Sequence, residues 1–212
     1  MTERPDVDDE DLEPWQPEPL RGGFVIEDAL VRDVDFSELV AAGGAVKRSR
    51  LAGVKLAGTR LRSVRLVDAI VSDADLANAD WGAASLQRVV FERCRMSGFG
   101  GAELQAENVV FRECALELAN LRGAGLRSVA FENCGLDDAD LGGAALREVR
   151  FDRSHLRRVL IDGVRLTRVD FRGSRLEPDG DIAALRGAVI DSVQLVELGP
   201  LLARGLGIDV RD

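Results

Sequence analysis

The 212-residue sequence has no tyrosine, two tryptophans, two methionines, three cysteines and a single histidine. Each scarcity excludes some chemistry. Three cysteines cannot all pair within one chain, so no disulfide framework is expected. No two cysteines stand as CxxC, and no histidine lies beside them to complete a tetrahedral zinc set. The lone His155 has no nucleophile and orienting acid arranged around it, so no catalytic triad can be assembled. There is no glycine-rich phosphate loop. These absences predict a non-enzyme with no cofactor and no metal. Long apolar runs are missing too. No apolar stretch opens the chain as a signal peptide would, and none is long enough to span a bilayer, so a cytoplasmic location and no membrane partner are expected.

What the sequence has is one register held without a break. From Ile26 to Leu176, thirty-one successive fifth positions are apolar or tiny. A period of five fits neither a helix at about 3.6 nor a flat strand at about 2, so it signals a repeat architecture. Two residues before each central position stands a second, smaller inward residue, such as Val54, Thr59, Val64, Ala69 and Ala74. A twenty-residue period overlies both. Phenylalanine recurs at 91, 111, 131, 151 and 171, and cysteine at 94, 114 and 134, followed by Ser154 and Ser174. Four five-residue sides per coil, with like residues stacked on like, is the simplest account. About eight coils rising ~4.8 Å each give a column roughly 38 Å long.

Volume compensation supports the same geometry. The central positions Ala41, Gly101 and Ala106 are small, and two residues earlier stand the large Leu39, Phe99 and Leu104. A close-packed interior requires such exchange. Cys94, Cys114 and Cys134 occupy the small inward site and read as core filler. Glycines at outward positions, such as Gly53, Gly58 and Gly142, suit tight corners. Asp and Asn just before central residues read as partners for turn backbone.

Ala74-Asp75-Leu76, Ala79-Asp80-Trp81, Ala119-Asn120-Leu121 and Ala139-Asp140-Leu141 bring in a family resemblance. The chain resembles the pentapeptide-repeat proteins, whose unit is A(D/N)LXX, over about residues 24 to 190. The resemblance implies an all-β solenoid, a right-handed quadrilateral parallel β-helix. It implies two further expectations: mimicry of duplex DNA at the DNA-binding saddle of a type II topoisomerase such as gyrase, which confers resistance to quinolones or gyrase poisons, and homodimers joined at the C-terminal end.

Three segments are expected. Residues 1–20 hold eight acids, one base and four prolines and read as an acidic flexible tail. Trp15 and Leu20 within it are candidates to pack on the first coil. Residues 21–190 form the β-helix, with a register shift at Leu185 and Ile190 after the turn signal Glu177-Pro178-Asp179-Gly180. Residues 191–212 form a helical cap. Asp191 or Ser192 opens it, and Leu195, Leu198, Leu201, Leu202 and Leu206 make one apolar face that either covers the last coil or contacts a second copy. Pro200 removes a backbone donor and predicts a kink or two short helices.

DNA mimicry needs a negative column. The net charge of −9 divides into −7 for residues 1–20, −4 for 177–212 and +2 for the repeats between. Acidity therefore belongs to the ends. The side centred on Phe91, Phe111 and Phe131 is balanced, with Glu92, Arg112 and Glu132 in one ladder and Arg93 expected beside Glu113. The side centred on Leu66, Leu86 and Leu126 is basic, with Lys47, Arg48, Arg65, Arg88, Arg127, Arg147, Arg165 and Arg168 against five acids. It is a candidate contact for a protein partner or for nucleic acid, with a solvated surface as the plainer reading. The leading expectation is a non-enzymatic scaffold for protein–protein interaction.

Overall fold

Each pentad folds as one side of a coil, and its corner is the residue two places after the central one. From position 23 to position 173, every fifth residue has a positive φ; 22 of these are not glycine, and their φ lies between 42° and 60°. An L-residue in this region costs about 1 kcal/mol or more, so the stack must supply more than that at each corner. It does so through the backbone. The corner N–H donates to a carbonyl on the next coil, as in Asp73 to Glu92 (2.9 Å), Arg93 to Arg112 (2.9 Å) and Glu113 to Glu132 (2.9 Å). Residues just before the central positions close the turns. Asp75, Asp80, Asn120 and Asp140 each accept from the N–H two residues on, at 2.8–3.1 Å. That is the backbone role the sequence predicts for them.

The computed structural model describes residues 2–16 and 19–211. The coils stack in parallel, and Ile26, Val46, Leu66, Leu86, Ala106, Leu126, Leu146 and Leu166 stand above one another in register. Counting the incomplete ends, the solenoid makes about nine turns. Two adjacent sides form long strands that bend at one corner, such as Arg65–Ser72, Ser85–Glu92, Gln105–Arg112 and Gly125–Glu132. Most of the contact on the other two sides is a single bridge per coil, through the columns at Asp35, Lys55 and Asp75 and at Val40, Arg60 and Asp80.

All thirty-one central positions are buried except Phe36 and Leu166, which are half-buried. The five phenylalanines form one continuous stack from Phe91 to Phe171, with centroids 4.9–5.1 Å apart and planes within 6°. The spacing matches the rise per coil, so ring contact and backbone pairing do not compete. Volume compensation is visible at Gly101, where Phe99 Cε1 and Leu121 Cδ2 each lie 3.0 Å from the position a Cβ would take.

The three cysteines are buried and free. Their thiols donate to carbonyls 23 residues back: Cys94 to Val71 (3.4 Å), Cys114 to Phe91 (3.6 Å) and Cys134 to Phe111 (3.4 Å). Ser154 does the same to Phe131 at 3.2 Å. The column does not stop there. Gln194 lies twenty residues beyond Ser174, is buried, and sends its Nε2 to Phe171 O at 2.6 Å and to Ser174 O at 2.7 Å. A helical residue thus occupies the next place in a β-column.

The C-terminal helix runs Ser192–Gly205, with Asp191 as N-cap and a reciprocal bond from the Asp191 N–H to Gln194 Oε1. It continues through Pro200 as one element, so the predicted alternative of two short helices does not occur. Proline in the second half of a short helix loses one bond, and packing against the last coil offsets that loss. Ahead of it, Ala188–Val189 pairs with Val169–Asp170 at an offset of nineteen, which is the one-residue shift predicted at Ile190. Residues Ile182–Leu185, expected to resume the register, form a 3-10 turn instead.

At the other end, Glu13–Pro14 pairs with Ala29–Leu30, and Trp15 sits edge-on to Phe36 with centroids 5.5 Å apart. An edge strand is thereby covered. Of the predicted tail, residues 1, 17 and 18 lie outside the described residues, as does residue 212 of the predicted cap.

Candidate interaction surface

Stacked coils place residues i and i+20 side by side, so any outward charge has a neighbour on the next coil. Acid and base alternate along these columns. Asp28 pairs with Arg48 (2.7 Å), Asp68 with Arg88 (2.6 Å), Asp73 with Arg93 (2.8 Å), Asp75 with Arg95 (2.6 Å) and Asp138 with Arg158 (2.5 Å). The partner guanidinium holds Asp68, Asp73 and Asp75 below the ordinary carboxylate range by hydrogen bonding, against a smaller opposing effect of burial. Exposed pairs contribute little each, about 0–1 kcal/mol. Their larger effect is to neutralise the sides of the rod.

The ladder is directional. In these pairs the base stands one coil after the acid. The reason shows where a glycine leaves the view clear: the Asp33 and Glu38 carboxylates lie over Gly53 and Gly58, in the space a Cβ would take. Side chains lean toward the following coil. An acid one coil earlier therefore leans onto the arginine, and an acid one coil later leans away from it. The expected pair of Arg93 with Glu113 accordingly does not form, and Arg93 binds Asp73 and, at 3.2 Å, Glu92. The predicted ladder of Glu92, Arg112 and Glu132 does form, at 3.5 and 3.1 Å, on the strand face rather than at a corner, so the order seen at the corners does not extend to it.

The eight predicted basic-side residues divide. Arg48, Arg88 and Arg168 sit at corners and are held by Asp28, Asp68 and Glu148. Arg127 reaches Glu107 at 3.4 Å, and Arg147 reaches Glu148 at 4.0 Å. Lys47, Arg65 and Arg165 make no ion pair among the described residues; Lys47 and Arg65 stand on adjacent strands, and Arg165 lies five coils beyond Arg65. Between the two arginines, small residues Ser85, Gly125 and Ala145 leave a shallow furrow of about 370 Å³, with Arg127 and Arg147 on its rim. The corner beside this furrow carries something the sequence reading missed. The Asp6 N–H donates to Asp68 Oδ1 at 3.1 Å, and Glu3 lies against Asn108.

The five predicted cap leucines also divide. Leu198 is buried, Leu201 and Leu202 are half-buried against the core, and Leu195 and Leu206 are exposed at 54% and 76%. The packed face is therefore centred on Gln194 and Leu198, about one residue round from the predicted line. Gln194 is polar, so an apolar spacing does not reveal it; its signal is its place in the twenty-residue column. His155 is exposed on a bridge side. No group of His, Cys, Asp and Glu among the described residues could hold a metal ion. No helix among them is long and apolar enough to cross a membrane.

The sequence signature described as pentapeptide repeats matches eight copies, over residues 47–80 and 134–173. Among solved structures, a trypsin-treated form of QnrB1, a plasmid-mediated fluoroquinolone resistance protein, is 21% identical, covers 90% of this chain and 93% of its own, and has a TM-score of 0.47. Full-length QnrB1 is 17% identical over 85% of this chain and 99% of its own, with a TM-score of 0.40. HetL, a pentapeptide repeat protein involved in heterocyst differentiation regulation from the cyanobacterium Nostoc, is 16% identical over 82% of this chain and 92% of its own, with a TM-score of 0.28. Among curated proteins, no sequence matches this chain.

Proposed function

We propose that this chain, which carries eight copies of the pentapeptide repeat over residues 47–80 and 134–173, works as a non-enzymatic scaffold, a stiff rod whose sides hold fixed arrays of side chains for a protein partner. The observation that carries this reading is the coil-to-coil pairing of outward charge. Paired charges are poor as a uniform field and good as a pattern: they leave each side with short-range shape and polarity that only a complementary surface matches.

The test is side-specific. Charge reversals placed on one side of the rod at a time should abolish capture of a given partner for one side only. Equal loss from all four sides would mean that net charge, not pattern, drives binding. A robust hydrolase or transferase activity of the purified chain would sink the scaffold reading altogether.

Topoisomerase modulation is the finer reading the family resemblance implies. It calls for a continuous acidic side, and here most acids of the repeats pair with arginines, as at Asp28, Asp68, Asp73, Asp75 and Asp138. Gyrase supercoiling with and without a poison is accordingly expected to be unchanged at micromolar protein. Nucleic-acid contact through the basic side meets the same objection, because five of its eight bases already have carboxylate partners. A gel shift with duplex DNA should be absent at about 200 mM salt, and any complex at lower salt should weaken steeply as salt rises.

A further inference from the structure

The N-terminal segment does not leave the rod where its acidity would carry it. It runs back along one corner column. The Glu13 N–H donates to Asp28 O at 3.0 Å, the Asp6 N–H to Asp68 Oδ1 at 3.1 Å, and the Glu3 N–H to Asn108 Oδ1 at 3.4 Å. Asp28, Asp68 and Asn108 are corners of one column, spaced two coils apart. Two coils rise about 9.6 Å. Three extended residues, the separation of Glu3 and Asp6, span about 10 Å. Between Asp6 and Glu3 the extended chain thus keeps step with the column, at three residues for two coils; between Glu13 and Asp6 the same rise takes seven residues, which include the 3-10 turn Asp9–Asp11.

Between the two contact points lies Arg88. Asp68 holds its guanidinium by two bonds of 2.6 Å. Glu3 and Asp6 also bear on it electrostatically, after Asp68, and together these raise its pKa. Asn108 completes the set, with its Nδ2 donating to the Glu3 carboxylate at 3.5 Å. We propose that the corner Asp68–Arg88–Asn108 is a docking track for an extended acidic peptide, and that residues 3–6 of this chain occupy it in cis. The track reads two backbone N–H groups three residues apart through Asp68 and Asn108. It selects carboxylates at the same spacing through Arg88 and the Asn108 amide. It borders the furrow lined by Gln87, Gln105 and Arg127, so a longer acidic segment docked there has room to spread across the side. The external partner this fits is a protein with an exposed Glu/Asp-x-x-Glu/Asp segment. The scaffold reading is needed only for that external partner; the track itself is testable with the chain's own segment.

The experiment uses the full chain throughout. A fluorescein-labelled peptide of residues 2–16 is titrated by anisotropy at about 50 mM salt against the unaltered chain, against Glu3→Arg/Asp6→Arg, and against that variant carrying Arg88→Ala or Asn108→Ala. Glu3 and Asp6 are exposed, so the double change leaves the coil intact. A tethered occupant acts at an effective concentration of about 1 mM, so freeing the track should tighten peptide binding at least about tenfold for a peptide in the 100 µM range. Arg88→Ala and Asn108→Ala should each reverse most of that gain, with thermal melts confirming that both variants are folded. Equal binding by the unaltered chain and the double variant overturns the proposal. So does equal binding of a composition-matched scrambled peptide, which would show charge without register. Absence of any external partner would leave this result untouched and count only against the scaffold reading.

Discussion

Replacing Gln194 with methionine keeps the side-chain volume and removes the donor that closes the cysteine–serine column. In the native chain its Nε2 serves Phe171 O at 2.6 Å and Ser174 O at 2.7 Å, and its Oε1 accepts the Asp191 N–H at 2.9 Å. The acceptors are not equal. Phe171 O also receives the Ser174 N–H at 3.1 Å, so it loses a second bond, about 0.5–1.5 kcal/mol. Ser174 O has no other backbone donor among the described residues and is left unsatisfied in a buried setting, about 1–3 kcal/mol. With the helix N-terminus loosened as well, the loss is about 2–4 kcal/mol. A solenoid opens from its ends, so the loss should fall on the last turn rather than on the whole rod. Native-state hydrogen exchange is therefore the assay of choice. Amides of residues 169–176 and of the helix should exchange about 30- to 900-fold faster, which is 2–4 kcal/mol at ~1.4 kcal/mol per decade. Amides in the coils between 65 and 132 should keep their rates. Exchange at the C-terminal turn within threefold of the native chain would refute the closing role, and an equal increase along the whole column would refute the end-opening argument.

Phe131→Ala removes the middle ring of the stack and should cost about 3–5 kcal/mol in urea unfolding, with Phe131→Leu far milder; a cost under 1 kcal/mol for alanine would mean the column repacks freely. Hydrogen bonding along the thiol column, and then burial, push Cys94 up and Cys114 up to about 12, while a bond from Cys114 lowers Cys134. All three should resist a thiol-specific disulfide reagent in the folded chain and react together on unfolding, and rapid labelling of Cys134 alone would show that the column opens locally. Asp68 is held below its unfolded pKa first by the Arg88 hydrogen bond. A lowered pKa contributes stability above the unfolded value near 3.9 that is lost as pH falls through the folded value. Urea midpoints should accordingly drop below about pH 4, and Asp68→Asn should flatten that slope; an unchanged slope would deny the pair any linkage.

The fold was legible because its two periods are set by sterics that act on every coil alike. A central residue must fill the column and its neighbour two places back must not overfill it, so Gly101 and Phe99 announce each other. The corners were legible only in part. Glycines marked some, yet Arg88, Arg93 and Arg158 adopt the same left-handed φ, and no residue preference signals that. Their conformation is imposed by hydrogen bonds from the coil above, which are tertiary facts. The packed face of the helix was misplaced for a related reason. Leu195 and Leu206 continue an apolar spacing, but the end of the column presents open carbonyls, and a carbonyl is better met by an amide than by a methyl group. The sequence held the information in the step of twenty from Ser174 to Gln194.

The surface was the least legible part, and one geometric fact explains why. Composition assigns every charge to a side but carries no sign for the direction in which side chains lean. At the corners the lean toward the following coil decides which charges meet: Asp73 pairs with Arg93 and Arg93 misses Glu113, whereas on the strand face Arg112 meets Glu132 in the opposite order. The rule also accounts for the docking track. On the column Asp68–Arg88–Asn108, Arg88 is satisfied from the coil behind by Asp68, and the next corner ahead is a neutral amide rather than a second acid. Arg88 therefore keeps unspent positive field on its outer face, which is where Glu3 and Asp6 lie. On the neighbouring column the corresponding corner is Glu113, which would repel an acidic strap. The N-terminal segment follows the one of these two columns whose order of residues admits it, and the same order is what an acidic partner would have to recognise.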